Sequence, residues 1–168
     1  VGISLAVTPG EACYIPLAHS APGIADQLPR EEVLARLKPW LESAAHKKVL
    51  QNAKYDQHIF ANHGIALAGI AHDTMLQSYV IESDKGHDLG QLCSRHLGLD
   101  TIAYEDLCGK GAKQITFDQV DIERAATYAA EECQRVCQQA SGLRLPRVTA
   151  ATRPDRHVFI GPSPAMQA

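Results

Sequence analysis

The chain has 168 residues, 45% hydrophobic and 21% charged, enough for one soluble globular domain with a proper core. A net charge of −3 argues against an overall basic nucleic-acid binder, although a carboxylate-rich metal site can offset a local basic surface. No apolar run approaches the roughly 20 residues of a membrane span, and the opening Val1-Gly2-Ile3-Ser4-Leu5-Ala6-Val7 has no basic start of the kind a signal peptide carries.

The first elements read as a hairpin. Val1, Ile3, Leu5 and Val7 alternate with small residues, Pro9-Gly10 turns the chain, and residues 12–17 form a second extended run. Residues 19–29, with two prolines and a glycine, read as a loop. From 30 to 43 the residues Val33, Leu34, Leu37, Trp40 and Leu41 fall on one helical face, and Pro39 should kink or end that helix. A short strand over 47–51 precedes a helix over 55–62 that His63-Gly64 stops. An extended piece at 68–71 leads into a helix over 73–81, followed by a helix over 89–97 and a short turn or helix over 104–107. Gly109-Lys110-Gly111 is a flexible basic loop, and residues 121–139 form a long alanine-rich helix. An early hairpin with later βα units predicts an α/β domain with a mixed sheet. That domain should span 1–140. The stretch 141–168, rich in proline and arginine and without period, reads as an irregular tail, either a linker or out-of-frame translation.

Five scattered cysteines, Cys13, Cys93, Cys108, Cys133 and Cys137, argue against a disulfide framework and suit a reducing cytoplasm. Cys133 and Cys137 share a helix face, but without a CxxC pair or a suitably spaced histidine they read as packing, not as a zinc site.

Two constellations carry chemistry. Asp56 follows a strand and opens a helix, a rigid place to hold a metal ligand. Taken alone it reads more simply as an acid favoured by the helix dipole. Tyr128 and Glu132 are four apart on one helix face, so a phenol and a carboxylate can hold a water beside a metal ion. Taken alone they read as a core tyrosine next to a solvated acid.

Their surroundings make them specific. Val49-Leu50-Gln51-Asn52-Ala53-Lys54-Tyr55-Asp56 resembles the second motif of the 3′→5′ proofreading exonuclease domain of the bacterial DNA polymerase I family. Gly69-Ile70-Ala71-His72-Asp73-Thr74-Met75-Leu76-Gln77-Ser78-Tyr79 is similar to the segment that follows it. Tyr104-Glu105-Asp106-Leu107-Cys108-Gly109-Lys110-Gly111 looks like the connecting region, and residues 126–131 look like the third motif. The resemblance implies a ribonuclease H-like mixed β-sheet flanked by helices, and hydrolysis of the 3′-terminal phosphodiester of single-stranded DNA by two Mg²⁺ or Mn²⁺ ions. It implies a polymerase domain in the same polypeptide. By the same resemblance Asp56 is a metal ligand and Tyr128 orients the attacking water. Gln51 and Asn52 lie near the terminal nucleotides, Tyr104 packs against a base, and His87 lies near the substrate strand. Lys110 and Lys113 are candidates to meet phosphates.

This chain departs from the family in two places. The family's first motif, an Asp-x-Glu on the strand before the hairpin, is missing from these 168 residues. Glu132 stands where the family has Asp. One extra methylene displaces the carboxylate by about an ångström, enough to cost ~100-fold in a positioned site. A reading-frame shift near Glu132 is a hypothesis for both the substitution and the tail: these residues can be written GAG GAG TGC CAA CGT G, which less one G would read Glu-Asp-Ala-Asn-Val. Sequencing the encoding DNA decides this. The expectation is an exonuclease by family, with Asp56 and Glu132 as metal ligands and impaired or no activity in the chain as given. The alternative is a non-catalytic exonuclease-like domain supporting a polymerase. A related ribonuclease or standalone exonuclease of the same fold is a third reading.

Overall fold

A computed structural model describes residues 1–8, 10–22, 24, 26–142 and 158–162; for residue 137 and those from 139 onward only the backbone is described. Strands β1 (Gly2–Thr8) and β2 (Glu11–Pro16) form the expected antiparallel hairpin, with Leu5 opposite Cys13 and a register shift between Ala6 and Thr8. Helix α1 (Arg30–Leu41) starts with Glu31 and Glu32, which favour its positive end. Pro39 lies inside α1, and the helix runs only two residues beyond it. Proline has no N–H for the carbonyl four residues back, so this end is the weak one.

Strands β3 (Lys48–Leu50) and β4 (Ile70–Asp73) pair in parallel, with α2 (Ala53–Asn62) as their crossover. Helices α3 (Thr74–Ile81), α4 (Leu89–Leu97), α5 (Tyr104–Cys108) and α6 (Ile122–Gly142) follow. Of the stretch expected to be irregular, most lies outside the described residues. Its five described residues beyond α6 form β5 (Val158–Pro162), antiparallel to β1 and parallel to β3. The sheet order is β2-β1-β5-β3-β4, a mixed sheet flanked by helices, as the ribonuclease H-like expectation requires. Among the described residues no helix is long and apolar enough to cross a membrane.

Strand alternation divides the core between the two faces. Leu50 and Ile3 join Leu34 and Leu41 of α1 and Phe60 of α2 in one cluster. Their neighbours Val49 and Ala6 turn the other way and meet Cys133 and Val136 of α6. The sheet therefore holds α2 on one side and α6 on the other.

Lys48 is fully buried at the start of β3, and its ammonium is satisfied. Nζ donates to the carbonyls of Ser43 (3.0 Å), His46 (2.9 Å) and Ala68 (2.9 Å), using all three donors, and lies 4.8 Å from the Trp40 ring centroid. Burial, then Lys47, lowers its pKa. Gly69 closes the same knot at φ +74°, where a Cβ would come within 2.5 Å of the His46 carbonyl oxygen and 2.8 Å of that of Ser43. Lys48→Met should cost about 3 kcal/mol or more, because three carbonyls lose their donor at once. Gly69→Ala should cost about 1–3 kcal/mol from the positive φ and the close approach. Both break one knot, so the double variant should lose less than the sum. Urea unfolding measures all three; an unchanged midpoint for Lys48→Met would contradict this account.

Candidate metal-binding site

Parallel strands deliver their C-terminal ends to one edge, where ligand sites of α/β sheets collect. Here β3 and β4 place Gln51 and Asn52 beside Asp73 and Thr74. Thr74 Oγ1 donates to the Leu50 carbonyl (3.3 Å) and to Gln51 Oε1. Gln51 Nε2 donates in turn to the His87 carbonyl (2.9 Å). Both ends of the Gln51 amide are therefore fixed. The His87 ring bonds Ser78 Oγ through Nδ1 (2.7 Å) and packs under Tyr79 with centroids 3.6 Å apart. Its Nε2 is buried without a hydrogen-bond partner among the described residues.

Asn52 is the N-cap of α2 and sits in the left-handed region at φ 62°, ψ 51°, and its side chain makes no cap bond. The Asp73 carboxylate supplies the acceptors instead. Oδ1 accepts from Asn52 N (3.1 Å) and Oδ2 from Ala53 N (2.8 Å). Oδ1 also accepts from Met75 N (3.0 Å) and Leu76 N (3.2 Å), capping α3. One carboxylate thus joins the N-termini of two helices.

Asp56 lies one turn into α2 and is 1% exposed. Both its carboxyl oxygens are buried without a donor among the described residues. Burial, then the charges of Asp73 and Glu132, push its pKa up to about 8. Glu132 comes from α6 on the opposite side of the sheet. Burial raises it to about 7, against the hydrogen bond that the Tyr128 hydroxyl donates to Oε1 (2.8 Å). That bond is the helix-face pairing expected from a spacing of four. Burial, then the Glu132 charge, raises the Tyr128 phenol. Its ring packs on Phe117 with centroids 5.8 Å apart.

Tyr104 opens α5 and is stacked on Phe117 (centroids 6.4 Å, interplanar 13°), within electrostatic reach of Tyr55 and Tyr128. Asp56, Glu132, Tyr128 and Tyr104 are thus linked electrostatically, while Gln51 is hydrogen-bonded to Thr74 and to the His87 backbone. Lys110 forms an ion pair with Glu105, and Lys113 is exposed at the end of a one-turn helix, Gly111–Lys113.

A buried carboxylate without a donor among the described residues, within electrostatic reach of a second buried carboxylate, fits a hard divalent cation, which would neutralise both. Asp56 and Glu132 would hold it, with water completing the oxygen shell. Among the described residues no group of three or more His, Cys, Asp or Glu forms a metal-holding cluster. Asp73 already accepts four backbone N–H bonds. Its double cap, and the support from Thr74 and Ser78, were not read from the sequence. The signal available was Asp73-Thr74 ahead of a helix, an N-cap signature that reports only α3.

The family model for 3′–5′ exonuclease matches residues 1–143, which leaves out β5. DNA polymerase I of Pseudomonas aeruginosa is 54% identical over 135 residues, 79% of this chain and 15% of that protein. DNA polymerase I of Rhizobium leguminosarum is 38% identical over 169 aligned positions, 90% of this chain and 16% of that protein. Among solved structures, the polymerase domain of Pol1 from M. smegmatis, in complex with a DNA primer-template and dNTP, is 25% identical with a TM-score of 0.50, covering 80% of this chain and 18% of that chain. The chain spans about a sixth of the length of these two curated relatives. The chain belongs to the 3′–5′ exonuclease family, in the form that DNA polymerase I carries.

Proposed function

We propose that this domain removes nucleotides from the 3′ end of single-stranded DNA in the cytoplasm, serving a polymerase domain of the same polypeptide, through a divalent cation held by Asp56 and Glu132. The observation that carries this reading is Asp56: two buried carboxyl oxygens without donors among the described residues, their pKa raised by burial and by the charge of a second buried carboxylate, Glu132. A protein tolerates such a group where a cation or a proton neutralises it. Bound Mg²⁺ or Mn²⁺ would polarise the phosphoryl oxygen and lower the pKa of a coordinated water. Tyr128 donates a hydrogen bond from its hydroxyl to Glu132, which fixes the phenol for orienting that water. Gln51 and Asn52 hold the terminal nucleotide at the sheet edge, and Tyr104 offers a ring to a base. His87 lies beneath Tyr79, so an incoming base meets the exposed Tyr79 ring before the imidazole.

In the 168-residue chain itself we infer little or no hydrolysis. The place between β1 and β3 is filled by Val158–Pro162, a segment without a carboxylate, which leaves Asp56 and Glu132 as the carboxylates proposed for the site. With 3′-labelled single-stranded DNA and Mn²⁺, the chain should leave the label in place over hours. Robust degradation that disappears with Asp56→Ala would show the site to be sufficient as it stands.

The same carboxylates set a pH dependence. Asp56 and Glu132 bind protons more tightly folded than unfolded, with folded values of about 8 and about 7. Their contribution to stability is therefore full below the unfolded values near 4 and is lost as pH rises through the folded ones. In EDTA the melting temperature should fall between about pH 5 and pH 8.5. Asp56→Asn should flatten that slope and raise stability at pH 8.5, and Mn²⁺ should stabilise only the unsubstituted chain. A slope that Asp56→Asn leaves intact would remove Asp56 as its source.

A further inference from the structure

We infer that Asp73 is a positioning residue for the cation site: by capping α2 from outside that helix, it fixes where Asp56 stands. The inference rests on the reading of Asp56 as a cation ligand and adds a residue to it.

A helix N-terminus leaves its first N–H groups without partners, and the N-cap side chain normally accepts from one of them. Asn52 does not do so. Its backbone is turned into the left-handed region, and its own N–H and that of Ala53 point to Asp73, 21 and 20 positions along the chain. Asp73 ends β4 and caps α3 with the same carboxylate. The start of α2 is therefore tied to the end of the neighbouring strand by two hydrogen bonds to one rigid group. Asp56 is a single turn from those bonds and has no hydrogen bond of its own among the described residues to fix its carboxyl group. Its position comes from the backbone, and the backbone there is set by Asp73. Ligand-orienting partners of this kind are typically worth 10–100-fold in metal affinity.

The test is Mn²⁺ binding to the full chain, followed by the EPR signal of free Mn²⁺, at a temperature where circular dichroism shows every variant folded. Stability alone does not move the Kd of a folded chain. Asp73→Ser keeps an N-cap for α3 but cannot span both N–H groups of α2. Asp73→Glu keeps the charge and displaces the acceptors by one methylene. Both should weaken Mn²⁺ binding about 10–100-fold. Asp88→Ala removes the cap of α4, whose Oδ1 accepts from Gln91 N, and should lower the melting temperature with Kd unchanged. Wild-type affinity in Asp73→Glu would show that charge and not position matters, and overturns the inference. Equal weakening in Asp88→Ala would reduce the effect to stability and also overturns it. If Asp56→Ala leaves Mn²⁺ binding untouched, the cation reading of Asp56 falls first, and this inference with it.

Discussion

A carboxylate inside a protein must find donors, a proton or a cation, and at Asp56 the protein supplies no donor. The site is arranged around that deficit. The N-terminus of α2 contributes its dipole, which favours negative charge, but its leading N–H groups are taken by Asp73. Asp73 and Glu132 then add charge of the same sign. Burial and these two charges outweigh the dipole and raise the proton affinity of Asp56, and on the proposed reading a proton and a divalent cation compete for the same oxygens. Such a site is least comfortable empty and ionised, the condition that a bound cation relieves.

Glu132 follows the same logic from the other side of the sheet. Tyr128 lies one turn earlier on α6 and donates a 2.8 Å hydrogen bond to it, which offsets part of the cost of burial. The longer glutamate side chain reaches the phenol and the neighbourhood of Asp56 together. Reach and placement differ, however. An aspartate would hold its oxygens closer to the α6 backbone and with one fewer rotatable bond, and a ligand with fewer rotamers gives a cation a better-defined geometry.

Much of this was legible in the sequence. Alternation of apolar and small residues over 1–7, with the Pro9-Gly10 turn, gave the hairpin although β1 is buried on both faces, and the helical period over 30–43 gave α1, which buries one side. Tyr128 and Glu132 were paired correctly by their spacing, since a helix turns that distance into contact. The role of Asp73 was not legible, because its partners Asn52 and Ala53 lie on another element and backbone N–H groups leave no mark in a sequence. Lys48 hid for a similar reason. A lysine opening a strand reads as exposed, and only the folded chain brings three carbonyls to its ammonium. Strand β5 escaped notice because Val158–Pro162 is short and follows residues without period.

The place of β5 has a consequence for how the chain reaches its fold. It is the last described strand in sequence and lies in the middle of the sheet, with Ala6 opposite Phe159 and Lys48 beside Val158. Until it arrives, β1 and β3 each present an open row of backbone donors and acceptors to whatever strand comes near. Pairings between such distant parts of a chain form late and slowly. During synthesis the two halves of the sheet therefore wait for a strand made after both of them, and a second chain emerging close by is the competitor for that gap.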